Sequence, residues 1–350
     1  MKVIQVRNVN QALPEGLRHL EVNGVRRGSR NGPVIVAKAP VMTVYEQPQE
    51  KVLFWAERDA NPFFHILEGL WMLGGRNDVE WISYYNSRMR EFSDDGKTFH
   101  GAYGHRWRNH FEGDQLDEVC SILKSDPNSR RAVITMWDPD VDLGRDGKDL
   151  PCNVLACAQI NHEGKLDLTV TCRSNDIIFG AHGANSVHFA MLQEYLAARI
   201  GVSVGTLYQL SNNYHAYLDV FEKNRSLIDR AADPYSPAKS ACPYTLGLVE
   251  PRPLVTDPTV FDVEVKLFMQ GAYNYPFVNH FLADAVCLAE AYKAWKTEKD
   301  YGWALELLDP HTVYREGATK DWDWRLACQE WIERRQAKAR LGEVHGTTSA

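Results

Sequence analysis

A single cysteine in the middle of this chain lies between side chains that bind anions. Cys152 follows a proline, with the pair Arg130 and Arg131 upstream and Arg173 and Ser174 downstream. Thiolate is the nucleophilic form of cysteine, and nearby positive charge lowers the pKa of the thiol. Arginine can bind a phosphate through two parallel hydrogen bonds. The spacing therefore predicts a nucleophile beside an anion site, with an ordinary packed cysteine as the alternative.

Two further sets of polar residues could serve the same site. Glu68 lies in an apolar stretch, where desolvation would raise its pKa towards the range of proton transfer. A place on the polar stripe of a helix is the alternative reading of Glu68. His215 and Tyr217 are spaced to recognise a hydroxyl group, although an aromatic core would use the same residue types. The cysteine and histidine spacings match no common zinc pattern, so we predict no metal.

The bulk composition narrows the class of protein. The chain has 350 residues, of which 44% are hydrophobic, and it carries a net charge of -7. This apolar content supports a sizeable core, and the acidic balance argues against general nucleic-acid binding. The seven cysteines include no CxxC pair, and no apolar run is long enough for a signal peptide or a membrane span. We therefore expect a cytoplasmic protein that acts on small molecules.

Apolar periodicity and turn residues predict an α+β fold with one large mixed sheet. We predict a buried helix that begins near Pro62 and ends at Gly74, and a hairpin of residues 154–161 and 166–173. The other predicted elements are strands over 34–36, 52–55, 131–137 and 261–270, and helices over 185–200, 213–229, 279–298 and 322–341. Evenly spread glycine and proline predict a single domain over 1–341, followed by a flexible tail over 342–350.

Seven motifs follow one another in the order in which the thymidylate synthase family carries them. They resemble the family's glutamate-bearing helix, tyrosine turn, arginine pair, Pro-Cys nucleophile, Arg-Ser strand, pyrimidine-reading asparagine and His-x-Tyr ribose contact. In the same order, the motifs are Glu68–Leu73, Gly101–Trp107, Ser129–Asp138, Leu150–Cys152, Arg173–Gly180, Asn185 and His215–Tyr217. Each motif alone is weak, but seven in the family's order make chance an implausible explanation.

The resemblance implies a folate-dependent one-carbon transfer to a pyrimidine nucleoside monophosphate. Cys152 would add to C6 of the ring, and C5 would then attack the methylene carbon of 5,10-methylenetetrahydrofolate, the co-substrate. Glu68 would manage protons near O4 through water, and Tyr103 would orient the water that removes the C5 proton. Asp176 would contact the folate ring.

The same resemblance implies nucleotide contacts and an assembly. Asn185 would read the base, and His215 and Tyr217 would hold the ribose. The phosphate would be held by Arg30, Arg173 and Ser174 and by Arg130 and Arg131 of the partner subunit. The large sheet would form the interface of a homodimer with shared active sites.

Several departures from the family pattern favour a hydroxymethylase over a thymidylate-forming synthase. In the synthases, hydride from the folate reduces an exocyclic methylene on the nucleotide, whereas in hydroxymethylases water attacks it. Asn153 replaces the usual histidine, Ser29–Pro33 replaces the usual phosphate loop, and Ala181–Ala184 is one residue longer than its counterpart. The C-terminus lacks the short apolar tail that closes over folate, and poorer closure would admit water. We therefore expect a phage-type hydroxymethylase that acts in the bacterial cytoplasm.

An asparagine at position 185 favours uracil over cytosine. Its amide donates to O4 and accepts from N3–H of uracil, whereas an aspartate suits the cytosine ring. Ser174 and Arg131 resemble the deoxynucleotide-using members, so dUMP is the expected substrate. A thymidylate-forming enzyme, a dCMP-acting relative and a non-catalytic nucleotide-binding protein stay open as alternatives.

Overall fold

The computed structural model describes residues 1–232, 242–309 and 320–346. The strands are β1 (Lys2–Val6), β2 (Gly24–Arg27), β3 (Val34–Ala37), β4 (Val41–Tyr45), β5 (Val133–Thr135), β6 (Asn153–Ile160), β7 (Lys165–Cys172), β8 (Asn175–Asp176), β9 (Ser203–Ser211), β10 (Tyr214–Tyr217), β11 (Val249–Glu250) and β12 (Asp321–Trp322). The α-helices are α1 (Val9–Asn23), α2 (Pro62–Leu73), α3 (Val79–Tyr85), α4 (Tyr103–His105), α5 (Gln115–Ser125), α6 (Pro139–Asp142), α7 (Asn185–Ile200), α8 (Leu218–Asn224), α9 (Ser226–Ala232), α10 (Phe261–Met269), α11 (His280–Lys293), α12 (Tyr301–Leu307) and α13 (Asp323–Gly346). The π-helical segments are Arg106–His110, Ile177–Ala184 and Ala294–Glu298, and a 3-10 helix covers Ser87–Phe92.

A six-stranded mixed sheet forms the centre of the fold. Its strand order is β1-β4-β9-β7-β6-β5, with parallel pairing in β1–β4 and β7–β9 and antiparallel pairing elsewhere. The predicted hairpin is confirmed as β6 and β7, which pair antiparallel. Leu166, Leu168 and Val170 of β7 are buried, as the predicted alternation requires. The α+β class and the large mixed sheet are therefore confirmed.

Two buried helices lie in layers over this sheet. Helix α7 contacts β7 and β9 directly, and α2 packs on α7. Helix α2 begins and ends as predicted, because the Asn61 side chain caps its first turn, Pro62 opens it and Gly74 follows its last residue. Every residue of α2 is buried. Gly69 permits close contact between the helices, since a Cβ there would lie 2.3 Å from Sδ of Met191.

A second sheet, of four strands, carries part of the candidate site. Its order is β2-β3-β10-β8. Strand β10 runs parallel to β8, which puts His215 opposite Asp176, and antiparallel to β3, which puts Tyr217 opposite Val34. The helix predicted over 213–229 is therefore wrong at its start. Residues 214–217 join a sheet, and only the residues after them form α8 and α9.

The strand predicted over 52–55 is wrong. The backbone N–H of Val52 donates to the hydroxyl of Tyr244 at 3.2 Å. The backbone N–H of Phe54 donates to Oδ1 of Asn10 at 2.8 Å. Side chains thus satisfy donors that a neighbouring strand would otherwise bind, and the apolar run does not join a sheet.

The strand predicted over 261–270 is also wrong, because this segment forms α10. Phe261, Val265 and Phe268 recur at helical spacing and are all buried. A short apolar run fits a buried strand and a buried helix equally well when only its hydrophobicity is considered. The strand predicted over 131–137 is shorter than expected and covers only β5.

A buried ionic cluster ties the last helix to the core. Helix α13 begins at Asp323 and runs to Gly346, past the predicted end at residue 341, and residues 347–350 lie outside the described part of the chain. Lys51 and Glu194 form a buried ion pair at 2.5 Å. The hydroxyl of Tyr244 donates to the Asp323 carboxyl at 2.7 Å. Burial raises the pKa of Asp323 to about 7.

Asp323 should make stability depend on pH near neutrality. A carboxyl whose pKa is raised by folding contributes fully below its unfolded pKa of about 4, and this contribution is lost as the pH rises through about 7. The Asp323→Asn variant has no such titration. We therefore expect the stability of the wild type relative to the variant to fall between about pH 4 and pH 7, by at most roughly 1.4 kcal/mol per pH unit. Denaturant unfolding at several pH values measures it, and a pH-independent difference would contradict the assignment.

Candidate active site

The predicted nucleophile lies where a loop enters the central sheet. Cys152 immediately precedes β6 and is half-buried. Its backbone N–H and that of Asn153 both donate to the hydroxyl of Tyr103, at 3.2 and 3.3 Å. Tyr103 therefore lies beside Cys152, as the motifs predict, and one phenol fixes the backbone on both sides of the Cys152 side chain.

An arginine holds the same loop from the other side. Arg173 donates from Nε to the carbonyl of Pro151 at 2.9 Å and from Nη2 to that of Leu150 at 3.2 Å. Its guanidinium also lies over the ring of Trp137, 5.4 Å from the centroid. Ser174 follows it and is half-buried, and its hydroxyl makes no hydrogen bond with a described residue. A cation and a free hydroxyl thus stand next to the thiol.

The charge balance at the thiol differs from the sequence expectation. Burial raises the pKa of the Cys152 thiol above its ordinary value, and this effect outweighs the opposing influence of Arg173 and Arg30. The nearby Asp149 carboxyl raises the pKa further. The cations within this chain therefore do not by themselves make Cys152 a stable thiolate.

The remaining predicted phosphate ligands fall into two groups. Arg30 lies in the exposed turn between β2 and β3 and donates to the carbonyl of Gly147 at 3.1 Å, so the turn reaches the loop that leads to Cys152. Arg130 and Arg131 are located just before β5, and both are exposed. Within the described residues, neither of these two side chains makes a hydrogen bond or ion pair. Their guanidinium groups are therefore available to contact another molecule.

Asn185, the predicted base reader, belongs to a buried chain of amides that the sequence did not reveal. Asn153 donates from Nδ2 to Oδ1 of Asn185 at 3.3 Å, and Asn185 donates from Nδ2 to Oδ1 of Asn175 at 3.1 Å. Asn175 in turn donates to the hydroxyl of Ser211 at 3.0 Å. Each Asn185 amide atom keeps one unused hydrogen-bonding position. The residue after the nucleophile therefore contacts the predicted base reader directly.

The longer loop before Asn185 does not displace it. The π-helical segment Ile177–Ala184 is kinked at His182 and Gly183, whose backbone angles are not helical, and the next helix still starts at Asn185. His182 within it is buried, with Nδ1 2.8 Å from the hydroxyl of Tyr45 and Nε2 2.7 Å from that of Tyr214. The inserted loop is thus anchored in the core, and α7 begins at Asn185 as predicted.

The predicted ribose and folate ligands meet in the small sheet. Asp176 accepts at Oδ1 from the backbone N–H groups of Ile178 and Phe179, while its Oδ2 has no hydrogen-bond partner among the described residues. Burial raises the pKa of Asp176. The rings of His215 and Tyr217 lie 5.8 Å apart on the neighbouring strand. These predicted ligands therefore share one edge of the candidate site.

Glu68 has a partner that the sequence did not indicate. Its Oε2 lies 2.9 Å from Nε2 of His188, and both side chains are buried. His188 stands one helical turn beyond Asn185, so the two share one face of α7. The spacing of Asn185 and His188 on a buried helix could have shown from the sequence that they share a face. The contact between His188 and Glu68 could not have been predicted in this way, because 120 residues separate them in sequence.

Two classes of feature are not seen in the part of the chain that the structure describes. No group of three or more histidine, cysteine, aspartate and glutamate side chains there could hold a metal ion. Among the same residues, no helix is both long and apolar enough to cross a membrane.

Comparison with known proteins agrees with the fold. The model of the family described as thymidylate synthase matches residues 15–264. Over 342 residues, the chain is 52% identical to a deoxyuridylate hydroxymethyltransferase of Pseudomonas phage M6, a match that covers 96% of this chain and 95% of that protein. Over 191 residues, it is 41% identical to a protein of the same name from Bacillus phage SP01, covering 51% of this chain and 50% of that protein.

A putative thymidylate synthase of Methanothermobacter thermautotrophicus is 40% identical over 174 residues, which cover 48% of this chain and 76% of that protein. The chain belongs to the thymidylate synthase family. The family predicted from the seven motifs is therefore confirmed, and the chain is a transferase.

Proposed function

We propose that this protein converts dUMP and 5,10-methylenetetrahydrofolate into 5-hydroxymethyl-dUMP and tetrahydrofolate. The observation that carries the proposal is the 52% identity, over nearly the whole of both chains, to a phage protein named deoxyuridylate hydroxymethyltransferase. The cytoplasm of an infected bacterium is the expected place of action.

Cys152 supplies the nucleophile in this reaction. Its sulfur adds to C6 of the pyrimidine, and C5 then forms the bond to the one-carbon unit of the folate. Tyr103, which already binds the backbone beside Cys152, orients the water that removes the C5 proton. Asp176 offers its unpartnered Oδ2 to the folate ring.

The nucleotide is held at its phosphate, ribose and base. Asn185 donates to O4 and accepts from N3–H of uracil with the positions that its amide contacts leave unused. His215 and Tyr217 contact the ribose. The phosphate ligands are Arg30, Arg173, Ser174 and, from the other subunit, the partner's Arg130 and the partner's Arg131. A bound phosphate would bring these cations together close to the thiol.

Water rather than hydride completes the proposed reaction. The usual histidine after the nucleophile is replaced by Asn153, whose side chain contacts the base reader. This replacement favours a site that admits water to the exocyclic methylene.

Two assays test the proposal against its alternatives. Release of tritium from C5-labelled dUMP in the presence of the folate requires turnover, so a pure nucleotide-binding protein releases none. Thymidylate-forming enzymes oxidise the folate, so dihydrofolate absorbance rises with tritium release. We expect tritium release without dihydrofolate, and faster release from dUMP than from dCMP. Stoichiometric dihydrofolate would contradict the proposal.

A homodimer is the assembly that this site needs. Helices cover one face of the central sheet, while Val133 and Cys157 on the other face are exposed and Thr169 and Tyr208 are half-buried in the same row. The arginine pair at 130–131 lies at the edge of this uncovered face. Two copies joined through the face would bury it and exchange arginines between the sites.

Mixing two inactive variants should restore activity if the sites are shared. One variant carries Cys152→Ser and the other carries Arg130→Ala with Arg131→Ala, and each alone should turn over dUMP poorly. In a mixed dimer, one site has the intact cysteine and the partner's intact arginines. We expect about a quarter of wild-type activity after random subunit exchange. If native mass spectrometry shows mixed dimers that remain inactive, the shared site is contradicted.

A further inference from the structure

The carboxylate of Glu68 is held by a single described partner deep between two helices. Nε2 of His188 lies 2.9 Å from its Oε2. A carboxylate oxygen only accepts, so the imidazole donates from Nε2. Nδ1 of His188 has no hydrogen-bond partner among the described residues. No described side chain donates to Oε1 of Glu68, which leaves that oxygen for water.

The packing of the helices fixes the position of this pair. Helix α2 carries Glu68 and α7 carries His188, and the contact of Gly69 with Met191 brings the two helices close together. Asn185 precedes His188 by one turn on the same face of α7. Asn185 also contacts Asn153, the residue after Cys152. The Glu68–His188 pair is therefore connected to Cys152 through Asn185 and Asn153.

A second buried histidine lies close to this pair. His65, one turn before Glu68 on α2, is buried, and burial together with the nearby Arg58 and His188 lowers its pKa to about 3, so it stays neutral. The pKa of Arg58 is lowered by burial, and Asp176 and Asp59 oppose this shift. A neutral imidazole therefore lies close to His188 on the α2 side of the pair.

We propose that His188 is a positioning residue that holds Glu68 as proton acceptor for the water that attacks the exocyclic methylene. This inference rests on the proposed hydroxymethylation. The donor at Nε2 engages one carboxylate oxygen and fixes the side-chain orientation. The other oxygen then faces the bound nucleotide and receives the water proton.

The atoms and electrons of this step balance without a further reactant. After tetrahydrofolate leaves, C5 is double-bonded to the exocyclic CH2 and the Cys152 sulfur is still bonded to C6. The water oxygen bonds to the CH2 carbon, one water proton passes to Glu68, and the electron pair of the double bond moves to the C4 enolate. Collapse of the enolate re-forms the C5–C6 double bond and expels the Cys152 thiolate. Glu68 then loses its proton to solvent.

The test compares tritium release from C5 with formation of 5-hydroxymethyl-dUMP, in the presence of 2-mercaptoethanol as a competing nucleophile. Tritium release reports formation of the methylene, and the two products report its partition between water and thiol. In the wild type we expect nearly one hydroxymethyl product per tritium released. In His188→Leu we expect the ratio of thiol adduct to hydroxymethyl product to rise about tenfold or more.

Conservative and control variants separate positioning from folding. His188→Gln keeps an N–H donor within reach of Glu68 and should keep the wild-type ratio. The asparagine side chain in His188→Asn is too short to reach Glu68, so this variant should give the same ratio as His188→Leu. His182→Gln changes another buried histidine, the one between Tyr45 and Tyr214, and should leave the ratio unchanged even if stability falls.

Three results would overturn the inference. The first is a ratio of thiol adduct to hydroxymethyl product that is unchanged in both His188→Leu and His188→Asn. The second is an equal loss of tritium release and of hydroxymethyl product in both variants. The third is a His188→Gln protein whose ratio equals that of His188→Leu. If the wild type makes thymidylate and dihydrofolate, the proposed function itself fails, which is a separate outcome from any of these.

Discussion

Replacing Cys152 with serine should abolish turnover while nucleotide binding persists. A serine hydroxyl is a far weaker nucleophile than a thiolate, and no described base contacts this position to activate it. We expect tritium release from C5 to fall by roughly 10³-fold or more. The contacts to phosphate and base do not involve the sulfur, so the Kd for dUMP, measured by calorimetry, should change by less than about tenfold.

The matched control for this variant is Cys287→Ser. Cys287 is also half-buried but lies on α11, away from the predicted ligands, so its loss should leave the rate unchanged. A Cys152→Ser protein that keeps substantial tritium release would contradict the assignment of the nucleophile. Loss of both turnover and dUMP binding would show that Cys152 acts in folding or binding instead.

Replacing Asn185 with aspartate should move base preference from uracil to cytosine. A carboxylate cannot donate to O4 of uracil, but it accepts from the 4-amino group of cytosine. The surrounding amides can adapt to it. Asn153 already donates towards position 185, Asn175 can turn its amide to donate as well, and the Ser211 hydroxyl can then donate to Asn175. The variant should therefore fold with its carboxylate satisfied.

The expected change in specificity is large because a favourable contact becomes a repulsive one. Each buried polar group left unsatisfied costs about 1–3 kcal/mol, so we expect the ratio of kcat/KM for dCMP to that for dUMP to rise by roughly 10²- to 10³-fold. Asn175→Asp is the matched control. It adds the same charge to the same network, and it leaves Asn185 to read the base, so preference for dUMP should persist. Unchanged preference in Asn185→Asp would show that Asn185 does not read the base.

The elements that position the site were largely predictable from local sequence. Helix α2 carries its own start and stop signals at Asn61, Pro62 and Gly74, and the β6–β7 hairpin shows clear alternation. The segment over 261–270 was not predictable in this way, because a short apolar run fits either type of element. The strand predicted over 52–55 is wrong for another reason, since side chains distant in sequence bind the backbone donors that a strand would use.

The motifs predict the residues of the candidate site one by one, but they do not predict the contacts between them. They point to Cys152 and Asn185, whereas the hydrogen bond from Asn153 to Asn185 depends on the meeting of β6 and α7. The partnership of Glu68 with His188 likewise depends on how α2 packs on α7. The pKa of Cys152 shows the same limit, because neighbouring arginines in sequence suggest a lowered value, whereas burial in the folded chain raises it.

The origin of the oxygen in the product tests the central claim most directly. The wild-type protein is incubated with dUMP and 5,10-methylenetetrahydrofolate, once in ordinary water and once in water enriched in the heavy oxygen isotope. The mass of the nucleotide product is then measured by mass spectrometry. We predict 5-hydroxymethyl-dUMP whose hydroxyl carries the heavy isotope from the solvent, together with tetrahydrofolate. Thymidylate of the same mass in both waters, formed with an equal amount of dihydrofolate, would contradict the proposed reaction.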